Sequence, residues 1–451
     1  MSGTSSKTVI DAWLHYYKTP RFLDQTVEAA RRFNASHPEY DVRISRHDYV
    51  LIPGEIGRAA ARGERPAIAQ YYSTSTRAAA DMTGSDGAPL FTSVDAAVAG
   101  RDEILGVPVT TEDIVDPGRE YFRLPDGFSS LSTLVSTTLL YANTDLLRAA
   151  GVEQMPRTWQ EVTEACRAVT HARGGPAHGI TWACHGWMFQ QAVACQGGTL
   201  TDADNGRGAT PGTVTLDSEE MLAYVDWWRG LHQEGQYLYT GVRMTGPGTD
   251  VPESHLQPWV ASFQAFAEGR TAFLITSSVD SERLVQVGRE RGFTVRAGRL
   301  PYNAEVPYRG NILGGDSLYL GHGLDEEVRD GALAFMQFLN SPENAADRHR
   351  VSGYMPSTVA GRRLLEEEGW FERNPHRAVA GEQLAASGSS GASLGAVVGE
   401  LPRIQDLMTE AMHDVLADKA APAARFALAT EAAQRLLDEY NVHGPTNYRV
   451  H

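Results

Sequence analysis

The chain has 451 residues, 42% of them apolar and 21% charged, an ordinary globular composition that excludes a collagen-like or largely disordered protein and allows roughly two to four domains. Forty Lys+Arg against 56 Asp+Glu give a net charge of −16, a surface that repels phosphate backbones, so nucleic acid is not an expected partner. No run reaches the roughly 18 apolar residues that a membrane span needs, and a soluble protein is expected.

Thr8 to Trp13 reads as a strand. Thr19-Pro20 then offers an N-cap with proline at N1, opening a helix with Phe22, Val27, Ala30 and Phe33 roughly on one face. Asp41 to Ser45 is a second strand, residues near Gly54 to Arg62 a short helix, and Ala67 to Tyr71 a third strand. Strand and helix alternation of this kind predicts a mostly parallel sheet with covering helices. The pattern restarts at Leu134 to Tyr141, read as one strand, followed by a helix from Asn143 to Ala150 closed by Gly151. Thr158-Trp-Gln-Glu161 is a capping box, in which hydroxyl and carboxylate satisfy each other's orphan backbone N–H groups. Further helices are expected from Asp217 to Glu234 and around Trp259, Phe263 and Phe266, and a strand from Thr271 to Ile275. From Asp325 onward the chain reads as nearly all helix, broken at Ser341-Pro342, Gly353 to Pro356 and the loop Ser387 to Gly395. Two α/β units without a Pro/Ser tether imply two lobes, with a crevice at the carboxyl ends of their strands, where ligands prefer to bind.

Signatures of nucleotide, zinc-protease, serine-hydrolase or paired-cysteine chemistry are absent from the sequence. Cys166, Cys184 and Cys195 have no metal-like spacing and are expected to be free buried thiols, although Cys184 and Cys195 could pair. Neither a metal nor a cofactor is expected. The Gly314-Gly315 pair reads as a close backbone approach inside a strand. In place of catalytic motifs, aromatic and small polar residues gather at strand ends and turns. Trp13 follows the first strand and Tyr72-Ser73 the third. Ser136 lies in the first strand of the second unit, Cys184-His185-Gly-Trp187 in a Gly-flanked turn, and Ser277-Ser278 after a strand. Aromatic faces pack on the C–H faces of sugars and polyols, while hydroxyls and backbone groups pair with their hydroxyls. His185, Asp316 and Glu55 could act as acid/base groups if they converge, but hydroxyl recognition and a helix-start carboxylate are their more ordinary roles.

Further stretches carry a resemblance to a known family. They are Arg32-Phe-Asn-Ala35 with His37-Pro-Glu-Tyr40, Ser136-Thr-Thr-Leu-Leu-Tyr-Ala-Asn143, Pro156-Arg-Thr-Trp-Gln-Glu161, Gly310-Asn-Ile-Leu-Gly-Gly315, Ser341-Pro-Glu-Asn-Ala-Ala346, and Ser352-Gly-Tyr-Met-Pro-Ser357 followed by Gly369-Trp-Phe-Glu-Arg-Asn-Pro375. In these the chain resembles the family 1 extracellular solute-binding proteins of ABC importers, most closely their glycerol-3-phosphate/glycerophosphodiester branch. The resemblance implies an α/β, two-lobed periplasmic-binding-protein-like fold of type II with a multi-strand hinge. It divides the chain into an N-terminal lobe of 1–130 plus 312–355 and a C-terminal lobe of 131–311 plus 356–451. It also implies a receptor that captures a sugar, polyol or glycerophosphate-like solute in the interlobe cleft by hinge closure, for a membrane permease. By the same resemblance Tyr49, Ser136, Trp187, Ser277, Gly315 and Tyr354 fall at ligand contacts. Trp13, Tyr72, Ser73, His185, Ser278 and Asp316 join them from the residue reading. Two positions depart: Ser73 stands where an acidic residue takes a glycerol hydroxyl, and the phosphate-gripping arginine is replaced within Ala396-Val-Val-Gly399. Arg299, Arg309 and Arg373 are candidate substitutes, but a neutral saccharide or polyol is the simpler expectation. The resemblance places the protein outside the cytoplasm, whereas the N-terminus shows no secretory leader. That leaves a cytosolic carrier or an enzyme on the same scaffold as the alternative, and a receptor that signals to a membrane sensor as a third reading.

Overall fold

The computed structural model describes residues 7–16, 20–48, 51–243 and 256–445. The chain divides at Val135/Ser136, Ile312/Leu313, Trp370/Phe371 and Asp438/Glu439 into two compact units, so it passes between them four times. Thr19, the expected N-cap, lies outside the described residues, and so does Tyr49.

Strand β1 (Thr8–Tyr16) carries Ile10, Ala12 and Leu14 at alternate positions, all buried, so one face of the strand meets the core and the other carries Asp11, Trp13 and His15. That apolar face packs with Leu23, Ala30 and Phe33 of the helix Pro20–Ser36 and with Ala332, Phe335 and Met336 of the helix Glu326–Leu339. Parallel pairing joins β1 to β2 (Tyr40–Asp48) and to β3 (Ile68–Tyr72). Short strands β4 (Phe91–Thr92), β5 (Glu103–Ile104) and β6 (Val107–Pro108) follow, then β7 (Leu131–Ser136).

In the second unit β8 (Thr138–Asn143), β9 (His178–Trp182), β10 (Thr271–Ser277) and β11 (Val295–Arg299) form a sheet in the order β11-β8-β10-β9. Only β9–β10 is parallel there, and β8 is antiparallel to both its neighbours. The mostly parallel sheet expected for this unit is therefore corrected. Its core is aromatic: Trp182 stacks on Trp227 and touches Trp228 and Tyr237. The chain then returns as β12 (Gly314–Gly321), antiparallel to β3 and β4, which completes the first sheet in the order β2-β1-β3-β12-β4 with β7 also on β12.

Three differences from the sequence reading have physical causes. The strand read from Leu134 to Tyr141 is two strands in two sheets, interrupted at Thr137, whose backbone N–H donates to Ser278 Oγ (3.2 Å) and whose carbonyl accepts from Ser278 N–H (2.8 Å). The Gly-flanked turn at 184–187 opens a buried helix, Gly186–Cys195, capped by His185 Nδ1, which accepts from Trp187 N–H at 3.0 Å. Residues 131–135, 356–370 and 439–445 belong to the first unit and not the second, and Ile312 to the second and not the first: β7 pairs with β12, the helix Val359–Glu367 packs on Pro342–Ser352, and Tyr440 donates to Asp81 Oδ2 at 2.6 Å. The capping box at Thr158 forms as expected and opens the helix Trp159–His171. No helix among the described residues is long and apolar enough to cross a membrane.

Candidate functional site

In the first unit the carboxyl ends of the parallel strands bring polar and aromatic groups into register. His15 lies opposite His47 on β1 and β2, and Asp316 opposite Tyr72 on β12 and β3. Strand alternation puts Trp13 and His15 on one face. The Trp13 indole stacks on the His47 ring, with centroids 4.7 Å apart and planes 21° from parallel, and its N–H donates to Asp11 Oδ2 at 2.9 Å. His47 Nδ1 is in turn 2.5 Å from Glu55 Oε2, at the start of the helix Ile52–Ala61. His15 Nε2 lies 3.1 Å from Asp316 Oδ2, both side chains wholly buried. Gln70 joins them: its Oε1 accepts from His15 N–H (3.3 Å) and its Nε2 donates to Asp316 Oδ2 (3.4 Å). The other carboxylate oxygen, Asp316 Oδ1, is buried with no hydrogen-bond partner among the described residues. An unsatisfied buried carboxylate oxygen costs free energy unless something donates to it, which marks this strand end as unfinished.

The remaining candidates of this unit have structural work. Ser73 is buried, and its carbonyl accepts from Tyr121 Oη at 3.1 Å and Thr76 Oγ1 at 2.8 Å. Tyr354 is buried, and its carbonyl sits 2.7 Å from His349 Nδ1. Gly315 has φ of +137°, and a Cβ there would lie 1.8 Å from the Leu134 carbonyl oxygen, so the glycine is explained by the approach of β7. Tyr72 is half-buried at the end of β3.

In the second unit His185 and Trp187 both meet Trp259 of the helix Gln257–Ala267, with ring centroids at 5.3 and 6.4 Å. Gly186 is demanded by packing, since a Cβ there would fall 2.4 Å from Gln405. Ser277 Oγ caps the next turn by accepting from Val279 N–H at 3.3 Å. Ser278 is tied to Thr137 as described, and Ser136 is buried at the end of β7. The acid/base trio of His185, Asp316 and Glu55 is already engaged: Glu55 by His47, Asp316 by His15, and His185 as a cap. The histidines His15 and His47, and Gln70, escaped the sequence reading, which placed Trp259 on a helix but not beside His185 and Trp187. His15 carried one usable signal, its place two residues from Trp13 on an alternating strand.

Of the three arginines considered for an anion, Arg299 and Arg373 line a cavity of about 1610 Å³ along β11, with Arg157, Arg289 and Arg296, and none of the expected contact residues lines it. Glu153, Glu161, Glu164 and Glu382 line the same cavity. Arg309 is exposed. Where a phosphate-gripping arginine was expected, Ala396, Val397 and Val398 are buried, and Ala396 and Val398 belong to the apolar core. All three cysteines are free and buried; burial pushes the Cys195 thiol up to about 12 and raises those of Cys166 and Cys184. No group of three His, Cys, Asp or Glu among the described residues is placed to hold a metal ion.

Residues 28–378 match the family described as bacterial extracellular solute-binding protein. The sn-glycerol-3-phosphate-binding periplasmic protein UgpB of Escherichia coli strain K12 is 27% identical over 447 residues, 98% of this chain and 95% of its own. UgpB of Salmonella typhimurium is 26% identical over 417 residues, covering 91% and 89%. UgpB of Mycobacterium tuberculosis, solved in complex with glycerophosphocholine, superposes with a TM-score of 0.72 at 20% identity, covering 97% of this chain and all of that one. The cyclic α-maltosyl-1,6-maltose binding protein of Arthrobacter globiformis does so with a TM-score of 0.73 at 18% identity, covering 96% of this chain and 100% of that one. These structures share the fold, and the family is one of binding proteins and not of enzymes. The chain belongs to the bacterial extracellular solute-binding proteins.

Proposed function

We propose that this protein is the receptor component of an ABC importer and that its solute is a neutral, hydroxyl-rich molecule, a saccharide or polyol. The observation that carries the ligand class is in the first unit, where Asp11 accepts from the Trp13 indole N–H and Glu55 pairs with His47, the ring on which Trp13 stacks. Carboxylates accept hydrogen bonds from sugar hydroxyls and repel phosphate, and a stacked indole offers a face to a sugar ring. The apolar burial of Ala396 to Val398 supports the same reading, because a desolvated phosphate without a charge-assisted donor forgoes roughly 1.5–3 kcal/mol per bond. The relatives named for sn-glycerol-3-phosphate share a hydroxylated glycerol moiety with polyols, so the branch is compatible with a ligand stripped of its anion. Membership of a family of extracellular solute-binding proteins supports delivery to a membrane permease outside the cytoplasm.

Titration calorimetry with maltose, glycerol, glycerol-3-phosphate and glycerophosphocholine tests the ligand class. Saturable binding of a neutral compound is expected, weakened about tenfold in Trp13→Ala, the loss of roughly 1.4 kcal/mol of stacking and burial. Tight binding of glycerol-3-phosphate that vanishes for glycerol would overturn it.

A further inference from the structure

The sheet of the second unit ends at β11, which pairs with β8 on one side and, among the described residues, with no strand on the other. In an antiparallel ladder the residues of a strand alternate between bonding their neighbour and facing away from it. Thr144 N–H donates to the Thr294 carbonyl at 2.9 Å, so Thr294, Arg296 and Gly298 face β8. Val295, Ala297 and Arg299 therefore turn their backbone N–H and C=O groups to the open edge. The cavity of about 1610 Å³ follows this strand. On one face of β11, Met155 Cε lies 2.9 Å from where a Gly298 Cβ would stand, and that wall continues into the helix Trp159–His171. On the opposite face, Val295 Cγ2 lies 2.8 Å from where a Cβ of Gly288 would stand, in the helix Ser281–Arg291. The edge strand is the floor of a groove between two walls.

Charge in the groove reverses that of the chain. Arg157, Arg289, Arg296, Arg299 and Arg373 share it with four glutamates, whereas the whole sequence has 40 basic residues against 56 acidic ones. Two of those glutamates are already engaged: Glu161 accepts from the backbone N–H groups of Arg157 and Thr158, and Glu164 from Gln160 Nε2. All five arginines are exposed, and Arg157, Arg289, Arg296 and Arg299 make no ion pair among the described residues. Strand alternation puts Arg296 on the Met155 side with Arg157, and Arg299 on the other side with Arg289. Charged side chains on an edge strand discourage pairing with a second edge of the same kind. That accounts for arginines on β11 itself. It does not account for Arg157 and Arg289, which reach the same groove from other elements.

We propose that this groove binds an extended, acidic segment of a partner protein by strand addition. The segment pairs its backbone with Val295, Ala297 and Arg299. Its carboxylates fall alternately on the two walls and meet Arg157 and Arg296 on one, Arg289 and Arg299 on the other. None of the residues assigned to the solute lines the groove, so the proposal goes beyond the solute reading and does not depend on it.

Fluorescence anisotropy on the full chain tests it, with a labelled peptide of glutamate and threonine that presents carboxylates on both faces of a strand. Two control peptides carry lysine for glutamate, or the acidic sequence N-methylated throughout, which keeps the charge and removes every backbone donor. Saturable binding of the first peptide alone is expected. It weakens about tenfold in Arg296→Glu with Arg299→Glu, and also in Ala297→Pro, which removes an outward N–H and spares the bonds to β8. Circular dichroism checks that each variant is folded; should Ala297→Pro not fold, the N-methylated peptide answers the same question. Equal binding of the N-methylated peptide would mean attraction of charge alone and overturns strand addition. So does binding that survives the double arginine variant, or no binding at all. Binding to phosphatidylglycerol vesicles without binding of the peptide assigns the groove to a membrane surface, and that outcome overturns the proposal too.

Discussion

Gly315 and Asp316 are neighbours on one strand with opposite kinds of necessity. At Gly315 the demand comes from the backbone: φ is +137°, and the Leu134 carbonyl oxygen occupies the place of any Cβ. Gly315→Ala must move β7 off β12 or strain the chain, and a loss of about 3 kcal/mol or more is expected in urea unfolding followed by circular dichroism. A loss under about 1 kcal/mol would show that the strands are free to part. At Asp316 the demand comes from side chains, with His15 and Gln70 on one oxygen and no hydrogen-bond partner for the other among the described residues. The glycine pair was legible in the sequence as a close approach, because a glycine pair inside a strand has few other uses. The carboxylate was legible as a candidate, but its histidine was not, since nothing local joins β1 to a strand that returns from the far end of the chain.

The helix Leu401–Ala417 carries two groups that burial shifts in opposite senses. Burial, with the Glu410 carboxylate nearby, pushes Asp406 up to about 7 from its ordinary 3.8, against the pull of Arg403. Burial, helped by Arg243, pushes His413 down to about 4 from 6.5. Between pH 4 and 7 the folded chain keeps a proton on Asp406 that the unfolded chain releases, so this group alone makes stability fall as pH rises. His413 works the other way: the unfolded imidazole takes a proton below about 6.5 that the folded one refuses, so stability falls as pH drops toward 4. Together they flatten the profile. Asp406→Asn is expected to leave a stability that falls on acidification through this window, and His413→Gln one that rises, both read from thermal melts at stepped pH. Parallel profiles for the two variants would contradict the assignment. Elements were also where the sequence was easiest and hardest to read. The capping box at Thr158 is a local pattern and was legible, and the apolar face of the helix Pro20–Ser36 was legible in part: Ala30 and Phe33 lie in the core, but Val27 is exposed and Leu23 and Ala29 take the place given to it. The strand read from Leu134 to Tyr141 was not, because the break at Thr137 is imposed by Ser278, Ile312 and Gln383, none of them nearby in sequence. The antiparallel β8 and β11 were missed for the same reason: alternation reveals a strand and not its partner's direction.

At the scale of the molecule, the two units have separate apolar cores. That of the second runs from Leu140 to Leu437 and is dominated by Trp159, Trp182, Trp228 and Phe189, while the first is built on Ile10, Phe33, Leu318 and Phe335. Separate cores permit separate melting, since each unit buries its own surface. A solute that binds the folded chain changes that, because it is lost when the unit holding it unfolds. By mass action a ligand at about 100 times its Kd adds roughly 2.7 kcal/mol to whatever must unfold to release it. Scanning calorimetry with the neutral compound selected by titration is therefore expected to raise the transition of the first unit, which carries the Trp13–His47 stack. Trp13→Ala is expected to reduce that shift, and a shift left unchanged in Trp13→Ala would contradict the role given to the stack.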